Sequence, residues 1–226
     1  MFRFLNKHKI LYEHQYGFRS GHDTTQPLLQ LLDRIYEGLN AEDHRYSLGI
    51  FLGLKKAFDT VHHETLIYKL NHYGFTNVTN LWFRNYLSNR TQYVTVGKET
   101  SDIESILCGV PQGSVLGPIL FLLYINDLPN ATNLYTTHFA DDTGFLVSST
   151  DLKALELQAN AELSKAYEWF KANKLTLNIT KTKYIVFRTP KMKFDLTLLN
   201  IKINVVPLDR IGHNCKDTFF KFVGVR

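Results

Sequence analysis

Two adjacent aspartates, Asp141 and Asp142, stand between two short runs of strand-forming residues, Leu134–Phe139 and Gly144–Val147. This pattern predicts a β-hairpin with both carboxylates at its tip. In a hairpin turn the two side chains can reach the same side, although along a straight strand they would diverge. Two like charges that close are costly unless a cation neutralises them, and hard oxygen ligands select magnesium or manganese. For a bare pair, the alternative is a solvated Asp-Asp turn.

The other hydrophobic patterns predict helices and mostly antiparallel strands in one α+β domain. Helical spacing of apolar residues predicts helices at 24–39, 63–73, 80–87, 113–126 and 151–173. Apolar or alternating runs predict further strands at 46–52, 92–96, 103–107 and 183–187, with a β-like tail from residue 194.

Composition excludes several classes of protein. The 226 residues are 44% hydrophobic, which supports a folded core, and the net charge of +5 permits a polyanionic partner without requiring one. Cys108 and Cys215 lie far apart without metal-ligand spacing, which argues for a reducing compartment. The longest apolar stretch, Val115–Ile125, is too short to span a bilayer of ~30 Å, and the N-terminus lacks a signal-peptide core. We expect a soluble intracellular protein with no membrane contact, in either nucleus or cytoplasm.

A glycine-rich stretch, Gly109–Gly117, precedes the predicted helix at 113–126. Such a loop allows the backbone to approach a ligand, and a helix N-terminus favours phosphate. Gln112 could hydrogen-bond to a sugar or a base edge. A turn followed by an ordinary helix cap is the alternative for this stretch taken alone.

Six stretches in this order resemble the reverse transcriptase domain of non-LTR (LINE-type) retrotransposons, with the best match to the jockey and CR1-like groups. The stretch Gly109–Pro118 matches the GVPQGSVLGP segment of that family at every position. Phe139–Asp142 matches its FADD segment. The other stretches are similar to its QFGFR, FLDLxKAFDTV and two later segments, at 15–25, 51–61, 175–182 and 220–225. Agreement in both content and order makes chance improbable.

The resemblance implies a fold and a set of roles. It implies an α+β right-hand polymerase palm, an antiparallel sheet with helices on one face, partial fingers and no complete thumb. Residues 1–45 would be residual fingers and the junction to the palm, 46–190 the palm, and 191–226 a truncated last motif. The implied reaction is transfer of a nucleotide from a dNTP to a DNA primer on an RNA template.

The site residues carried over from the family have separate tasks. Two metal ions, Mg²⁺ or Mn²⁺, would be held by Asp141 and Asp142. The ring of Phe58 would exclude a ribose 2′-hydroxyl. Either Lys181 or, as an alternative, Lys183 would protonate the pyrophosphate leaving group. The nucleotide pocket would be shaped by three residues of the glycine-rich stretch, with a further contact from the fingers: Pro111, Gln112, Gly113 and Arg19.

Three departures from the family put activity in doubt. Gly53 occupies the position of the first catalytic aspartate, and Asp59, six positions later, is expected in or before the next helix. Most of the fingers and the thumb are expected to be absent. Loss of a metal-bridging carboxylate should lower the rate roughly 10³-fold or more.

Three readings remain open from the sequence: an active RNA-directed DNA polymerase, a non-catalytic palm remnant, and a repurposed nucleic-acid-binding module. We predict reverse transcriptase as the family and negligible activity for this chain. Residues 46–53 should form a strand beside the acidic hairpin, with the missing side chain of Gly53 directed at Asp141. The helices at 24–39, 63–73 and 151–173 should cover one face of the sheet.

Overall fold

The computed structural model describes residues 1–41, 46–188 and 199–211. The predicted last motif at 220–225 and Cys215 lie outside these residues. The chain divides into two compact units, each built from two stretches. We call them the helical unit (Met1–Leu11 and Lys56–Asn126) and the sheet unit (Tyr12–Lys55 and Asp127–Arg226). The domain boundaries expected from the sequence stay a prediction.

The described residues form helices and strands throughout. The α-helices are α1 (Phe2–Lys7), α2 (Thr25–Asn40), α3 (His63–His72), α4 (Asn77–Leu87), α5 (Leu116–Ile125) and α6 (Leu152–Ala172). Short 3₁₀ helices lie at Ala57–Thr60, Leu128–Ala131 and Ile179–Lys181. The strands are β1 (Tyr46–Leu52), β2 (Thr91–Gln92), β3 (Thr95–Val96), β4 (Glu99–Thr100), β5 (Glu104–Ser105), β6 (Tyr135–Phe139), β7 (Asp142–Ser149), β8 (Lys183–Arg188), β9 (Lys202–Ile203), β10 (Val206–Pro207) and β11 (Asp209–Arg210).

The sheet unit is organised around a five-stranded sheet in the order β11-β8-β1-β7-β6. The strand β1 pairs antiparallel with both β7 and β8, and β7 pairs antiparallel with β6. The edge strand β11 runs parallel to β8, so the sheet is mixed and the antiparallel pairing implied by the resemblance is wrong only at this edge. The connection from Arg188 to Asp209 is long enough for the crossover that a parallel pair requires.

The central strand is covered on both faces, since all seven residues of β1 are buried. On one face Phe51 packs with Leu146 of β7 and with Leu31 and Ile35 of α2. The alternate residues of β1 point to the opposite face and are fully buried. The helix α6 contacts β1 and β7 without belonging to the α2 cluster, which places it on that opposite face. The expectation of helices on a single face is therefore wrong around β1, because a fully apolar strand needs cover on both sides.

A buried glutamate fastens α6 to the segment before β6. The Glu162 carboxylate accepts hydrogen bonds from Thr132 Oγ1 (3.1 Å), Asn133 N (2.7 Å), Asn133 Nδ2 (3.2 Å) and Lys165 Nζ (2.6 Å). Burial raises the pKa of Glu162, but these hydrogen bonds outweigh it, so the pKa lies below its ordinary value. The ionised carboxylate therefore stabilises the fold above that ordinary pKa, and the contribution is lost as the pH falls through the lowered value.

Replacing Glu162 by glutamine should lower the free energy of unfolding at pH 7 by about 1–2 kcal/mol, because hydrogen bonds to a charged acceptor are the stronger ones. Urea unfolding measures the change. The matched control is Glu168→Gln on the same helix, where an exposed carboxylate lies 3.7 Å from Lys171 Nζ. That exposed pair should change stability by less than about 0.5 kcal/mol. Equal losses in the two variants would contradict the role of Glu162.

The helical unit packs α3 against α4 and α5. Because α5 is apolar on all sides, eight of its ten residues are buried, as expected for a helix inside a core. Lys69 of α3 is also buried, and its Nζ donates to the Tyr124 carbonyl of α5 at 2.7 Å. The hairpin predicted around residues 92–107 is present as two short antiparallel ladders, β2–β5 and β3–β4, with exposed strand residues.

Within the described residues, no helix is both long and apolar enough to cross a membrane.

Candidate active site

The acidic turn, Phe139–Asp142, joins β6 to β7 through a two-residue loop. Phe139 pairs with Asp142, so Ala140 and Asp141 form the two corners. Ala140 has a φ of +58°, and a positive φ at the first corner is typical of the type II′ turn that suits the twist of hairpin strands. Both aspartates are partly exposed. The hairpin with two carboxylates at its tip, predicted from the sequence, is confirmed.

The segment 12–19 lies against this turn. Tyr16 N donates to the His138 carbonyl (2.9 Å), and His138 N donates to the His14 carbonyl (2.9 Å), so the segment pairs with the free edge of β6. The buried Gln15 Oε1 accepts hydrogen bonds from Gly17 N (2.9 Å) and Ala140 N (3.1 Å). No role for Gln15 was predicted from the sequence. Its only signal was its place at the start of the stretch 15–25 that resembles the family.

Gly53 directly follows the strand that runs beside the acidic hairpin. The strand predicted at 46–53 is present as β1, and its last pair with β7 joins Leu52 to Thr143, the residue after Asp142. Beyond Leu52 the chain leaves β7 and pairs with another segment. Asn178 N donates to the Gly53 carbonyl (2.7 Å), and Leu54 forms an antiparallel bridge with Leu177.

The direction of the missing side chain differs from the prediction. A Cβ atom at Gly53 would lie 2.7 Å from Lys181 Cβ, with Asn178 O and Lys181 C next, each at 3.5 Å. The position therefore faces the segment Asn178–Lys181 rather than Asp141. The physical reason is the change of partner after Leu52, because pairing with 176–178 brings that segment onto Gly53.

The donor set is incomplete for the metal chemistry that the resemblance implies. A two-metal centre holds its ions roughly 3.5–4 Å apart and needs carboxylates that reach both. Across the parts of the chain that the structure describes, no group of three His, Cys, Asp or Glu side chains is placed to hold a metal ion. Asp141 and Asp142 supply suitable oxygens, but glycine at position 53 supplies none. The residues present therefore do not fit a two-metal polymerase centre.

The two candidate lysines differ in their surroundings. Lys181 ends the 3₁₀ helix Ile179–Lys181, is exposed, and lies next to Gly53. Lys183 is the first residue of β8, and its Nζ forms an ion pair with Asp209 at 2.5 Å. Lys181 therefore stays the better candidate for a proton donor, since Lys183 is held by a carboxylate.

In the helical unit, Phe58 lies in the 3₁₀ helix Ala57–Thr60. Its half-buried ring stacks on Phe121 of α5, with ring centroids 4.4 Å apart. Asp59, in the same 3₁₀ helix rather than in or at the cap of the helix predicted at 63–73, is exposed. The ring of Phe58 is thus held in place by the core of its unit.

The glycine-rich stretch makes a tight turn against this 3₁₀ helix. Gly113 has a φ of +76° and precedes Ser114, whose N donates to the Pro111 carbonyl at 3.3 Å. Gln112 Nε2 donates to Asp59 Oδ1 (2.5 Å), and a Cβ atom at Gly109 would overlap the backbone of Asp59. The structure thus brings Phe58, Asp59 and the turn of Pro111, Gln112 and Gly113 together. The helix α5 begins at Leu116, later than predicted, because this turn occupies the residues before it.

Arg19 closes the segment 12–19. Its Nη1 atom donates to the carbonyls of Gln15 (2.8 Å) and Tyr12 (3.3 Å). These bonds give Arg19 a structural task in the sheet unit. Its contact with template or nucleotide stays a prediction.

A histidine is sealed behind the turn. His138 is fully buried, and its Nδ1 lies 2.9 Å from Thr143 Oγ1. Burial lowers the pKa of His138 to about 3. The imidazole is therefore neutral at physiological pH.

Comparison with known proteins shows the family of the chain. The family model described as reverse transcriptase (RNA-dependent DNA polymerase) matches residues 2–226. The RNA-directed DNA polymerase from mobile element jockey of Drosophila melanogaster is 31% identical over 187 residues, covering 79% of this chain and 20% of that protein. The probable RNA-directed DNA polymerase from transposon X-element of the same species is 32% identical over 190 residues, with the same coverage. The chain spans about a fifth of the length of these curated relatives.

Solved structures share the fold at low sequence identity. Telomerase from Candida tropicalis in complex with a fragment of telomeric RNA superposes with a TM-score of 0.59 at 16% identity, covering 90% of this chain and 36% of that chain. The apo form of the same telomerase gives a TM-score of 0.58 at 13% identity, covering 90% and 39%. The family match over residues 2–226 and these similarities agree on the family and the fold. The chain belongs to the reverse transcriptase family and is related to the polymerases of jockey-like non-LTR retrotransposons.

Proposed function

We propose that this chain is the palm region of an RNA-directed DNA polymerase in which nucleotidyl transfer is disabled at residue 53. One observation carries the proposal. Gly53 directly follows Leu52, which pairs with Thr143 next to the acidic turn, yet position 53 has no carboxylate and a Cβ atom there would lie 2.7 Å from Lys181 Cβ. The chain has the strand β1 and the acidic turn that the resemblance implies, but it lacks the third carboxylate ligand.

The proposed partners are an RNA template, a DNA primer and a dNTP. The names of the related proteins as RNA-directed DNA polymerases support this set, and the telomerase that shares the fold was solved with an RNA fragment. A net charge of +5 is compatible with a polyanionic partner.

Apart from Arg19, the predicted site residues keep proposed roles that their surroundings support. Phe58, stacked on Phe121, is a rigid ring suited to excluding a 2′-hydroxyl. Gln112 is exposed and oriented by Asp59, so the turn of Pro111, Gln112 and Gly113 presents an amide to a nucleotide. Lys181 is the exposed cation proposed to protonate pyrophosphate.

Magnesium or manganese belongs to the chemistry of the family, and Asp141 and Asp142 are its proposed ligands here. Since the donor set does not fit a two-metal centre, the proposal for this chain is binding of nucleic acid without efficient catalysis.

The test uses the chain as it exists with a fluorescent poly(rA)/oligo(dT) duplex. Fluorescence anisotropy should detect binding whose affinity falls steeply between 50 and 200 mM salt (about 10³-fold for about six phosphate contacts), because phosphate contacts release counterions. The same complex, given Mg²⁺ and dTTP, should extend the primer no faster than an Asp141→Asn variant.

Two outcomes would contradict the proposal. Extension that Asp141→Asn abolishes would show that Gly53 does not disable the site. Absence of salt-dependent binding would show that the chain is an inert remnant rather than a nucleic-acid-binding palm.

A further inference from the structure

The corner residue Ala140 has a backbone N–H that the hairpin itself does not use. The β6–β7 ladder closes with the pair Phe139–Asp142, so the N–H of the first corner lies outside the ladder. Ala140 is also buried and has a φ of +58°. A buried N–H needs a partner, and a non-glycine residue with positive φ persists only where its surroundings enforce it.

That partner is Gln15, which is 2% exposed and lies on a different segment of the sheet unit. Gln15 forms a parallel bridge with His138, so its backbone is fixed two residues before the corner. From there its Oε1 accepts from Ala140 N at 3.1 Å and from Gly17 N at 2.9 Å. One carboxamide oxygen therefore ties the turn to the segment that lies against it.

Two neighbours keep Gln15 in this position. Arg19 Nη1 donates to the Gln15 carbonyl at 2.8 Å, which fixes the backbone from the far side. Gly17 lies so close to the corner that a Cβ atom there would overlap Ala140 N. The φ of Gly17 is not positive, so the glycine is needed for close approach rather than for an unusual backbone conformation.

We infer that Gln15 is a positioning residue for the acidic turn. Its carboxamide sets the peptide plane before Ala140 and thereby the placement of Asp141 and Asp142. The carboxamide satisfies the corner N–H and resists relaxation of its positive φ. Gln15 Oε1 accepts from backbone N–H groups, so it acts through the backbone of the turn. The inference rests on the proposed function only in treating Asp141 and Asp142 as the functional pair.

Hydrogen exchange at Ala140 tests the inference in protein labelled with ¹⁵N-alanine. Gln15→Met has nearly the same volume but no acceptor. It should speed exchange at Ala140 roughly fivefold or more relative to Ala166, a buried alanine of α6 in the same unit, because one hydrogen bond is lost. If Gln15 only contributed to general stability, Gln15→Met would speed exchange at both alanines by the same factor, and that result would overturn the inference.

Two further variants complete the test. Gln30→Met is the matched control, since it removes an acceptor from the Tyr135 hydroxyl (3.3 Å) in the same unit and should leave the Ala140 rate unchanged. Gln15→Glu keeps an oxygen at the same place, and its charge should shift the Ala140 amide proton downfield through a shorter hydrogen bond. An unmoved Ala140 resonance in Gln15→Glu would overturn the inference even if Gln15→Met fails to fold.

The Ala140 signals are read without nucleic acid. Loss of duplex binding would therefore contradict the proposed function and leave the inference standing. If the duplex binds normally but the Ala140 amide keeps its exchange rate and chemical shift in the Gln15 variants, only the inference is contradicted.

Discussion

Gly53→Ala is expected to lower the free energy of unfolding by about 1–3 kcal/mol, the usual cost of forcing atoms into a packed site. The added Cβ would lie 2.7 Å from Lys181 Cβ, an atom next to the backbone that cannot swing away as the end of a long side chain could. The 3₁₀ helix Ile179–Lys181 must shift to admit it. That segment is itself held by the hydrogen bond from Asn178 N to the Gly53 carbonyl, so the shift disturbs its pairing.

A double-mutant cycle in urea measures this coupling. Lys181→Gly removes the atom that blocks the site, and combining it with Gly53→Ala should recover roughly 1–2 kcal/mol relative to the sum of the single effects. Gly49→Ala in β1 is the matched control. The nearest atoms to a Cβ at Gly49 are side-chain carbons of Phe187, Ile185 and Phe51 at 3.2–3.4 Å, which can adjust. Strict additivity of Gly53→Ala and Lys181→Gly would refute the coupling.

The same geometry predicts the fate of an attempted reversion. Gly53→Asp adds a carboxylate at the expected position of the sequence motif, but its Cβ meets the same obstacle as alanine. We expect primer extension by Gly53→Asp alone to remain at the level of Asp141→Asn, roughly 10³-fold or more below an active polymerase. Substantial extension by this single variant would show that the segment Asn178–Lys181 yields easily.

The stability of the protein is expected to fall by about 2 kcal/mol between pH 7.5 and pH 5.0 through His138 alone. Burial lowers the pKa of His138 to about 3, while an unfolded histidine titrates near 6.5. Between these values the unfolded chain binds more protons than the folded one, so stability falls as the pH falls. Each pH unit below 6.5 costs about 1.4 kcal/mol until the folded pKa is reached.

Urea unfolding of the wild type and of His138→Gln at both pH values isolates this contribution. Glutamine cannot take up a proton and can still pair with Thr143 Oγ1. Between pH 7.5 and pH 5.0 the free energy of unfolding of His138→Gln should therefore fall by about 2 kcal/mol less than that of the wild type. His72→Gln, at an exposed position of α3, serves as the control for a histidine-to-glutamine substitution outside the core. Parallel pH profiles for wild type and His138→Gln would contradict the buried neutral imidazole.

The elements with strong periodic patterns were predictable. The helices α2, α3 and α6 and the strands β1 and β8 begin and end within about one residue of the bounds expected from apolar spacing alone. The acidic hairpin was predictable because two short strand-forming runs enclose a polar pair. The start of α5 was misplaced, since the turn at Gly113 depends on contacts with Asp59 that lie far away in sequence.

The family, the hairpin with Asp141 and Asp142, and the absence of a carboxylate at Gly53 could be predicted from the sequence, because each depends on residue identity and order. The surroundings of those residues follow from tertiary contacts. Lys181 Cβ occupies the space that a side chain at position 53 would need, and Gln15 accepts a hydrogen bond from Ala140 N. The strand β11 pairs in parallel with β8 at the edge of the sheet. These contacts join segments more than a hundred residues apart or depend on a crossover, and no local pattern of apolar and polar residues specifies which distant partner fills a given space.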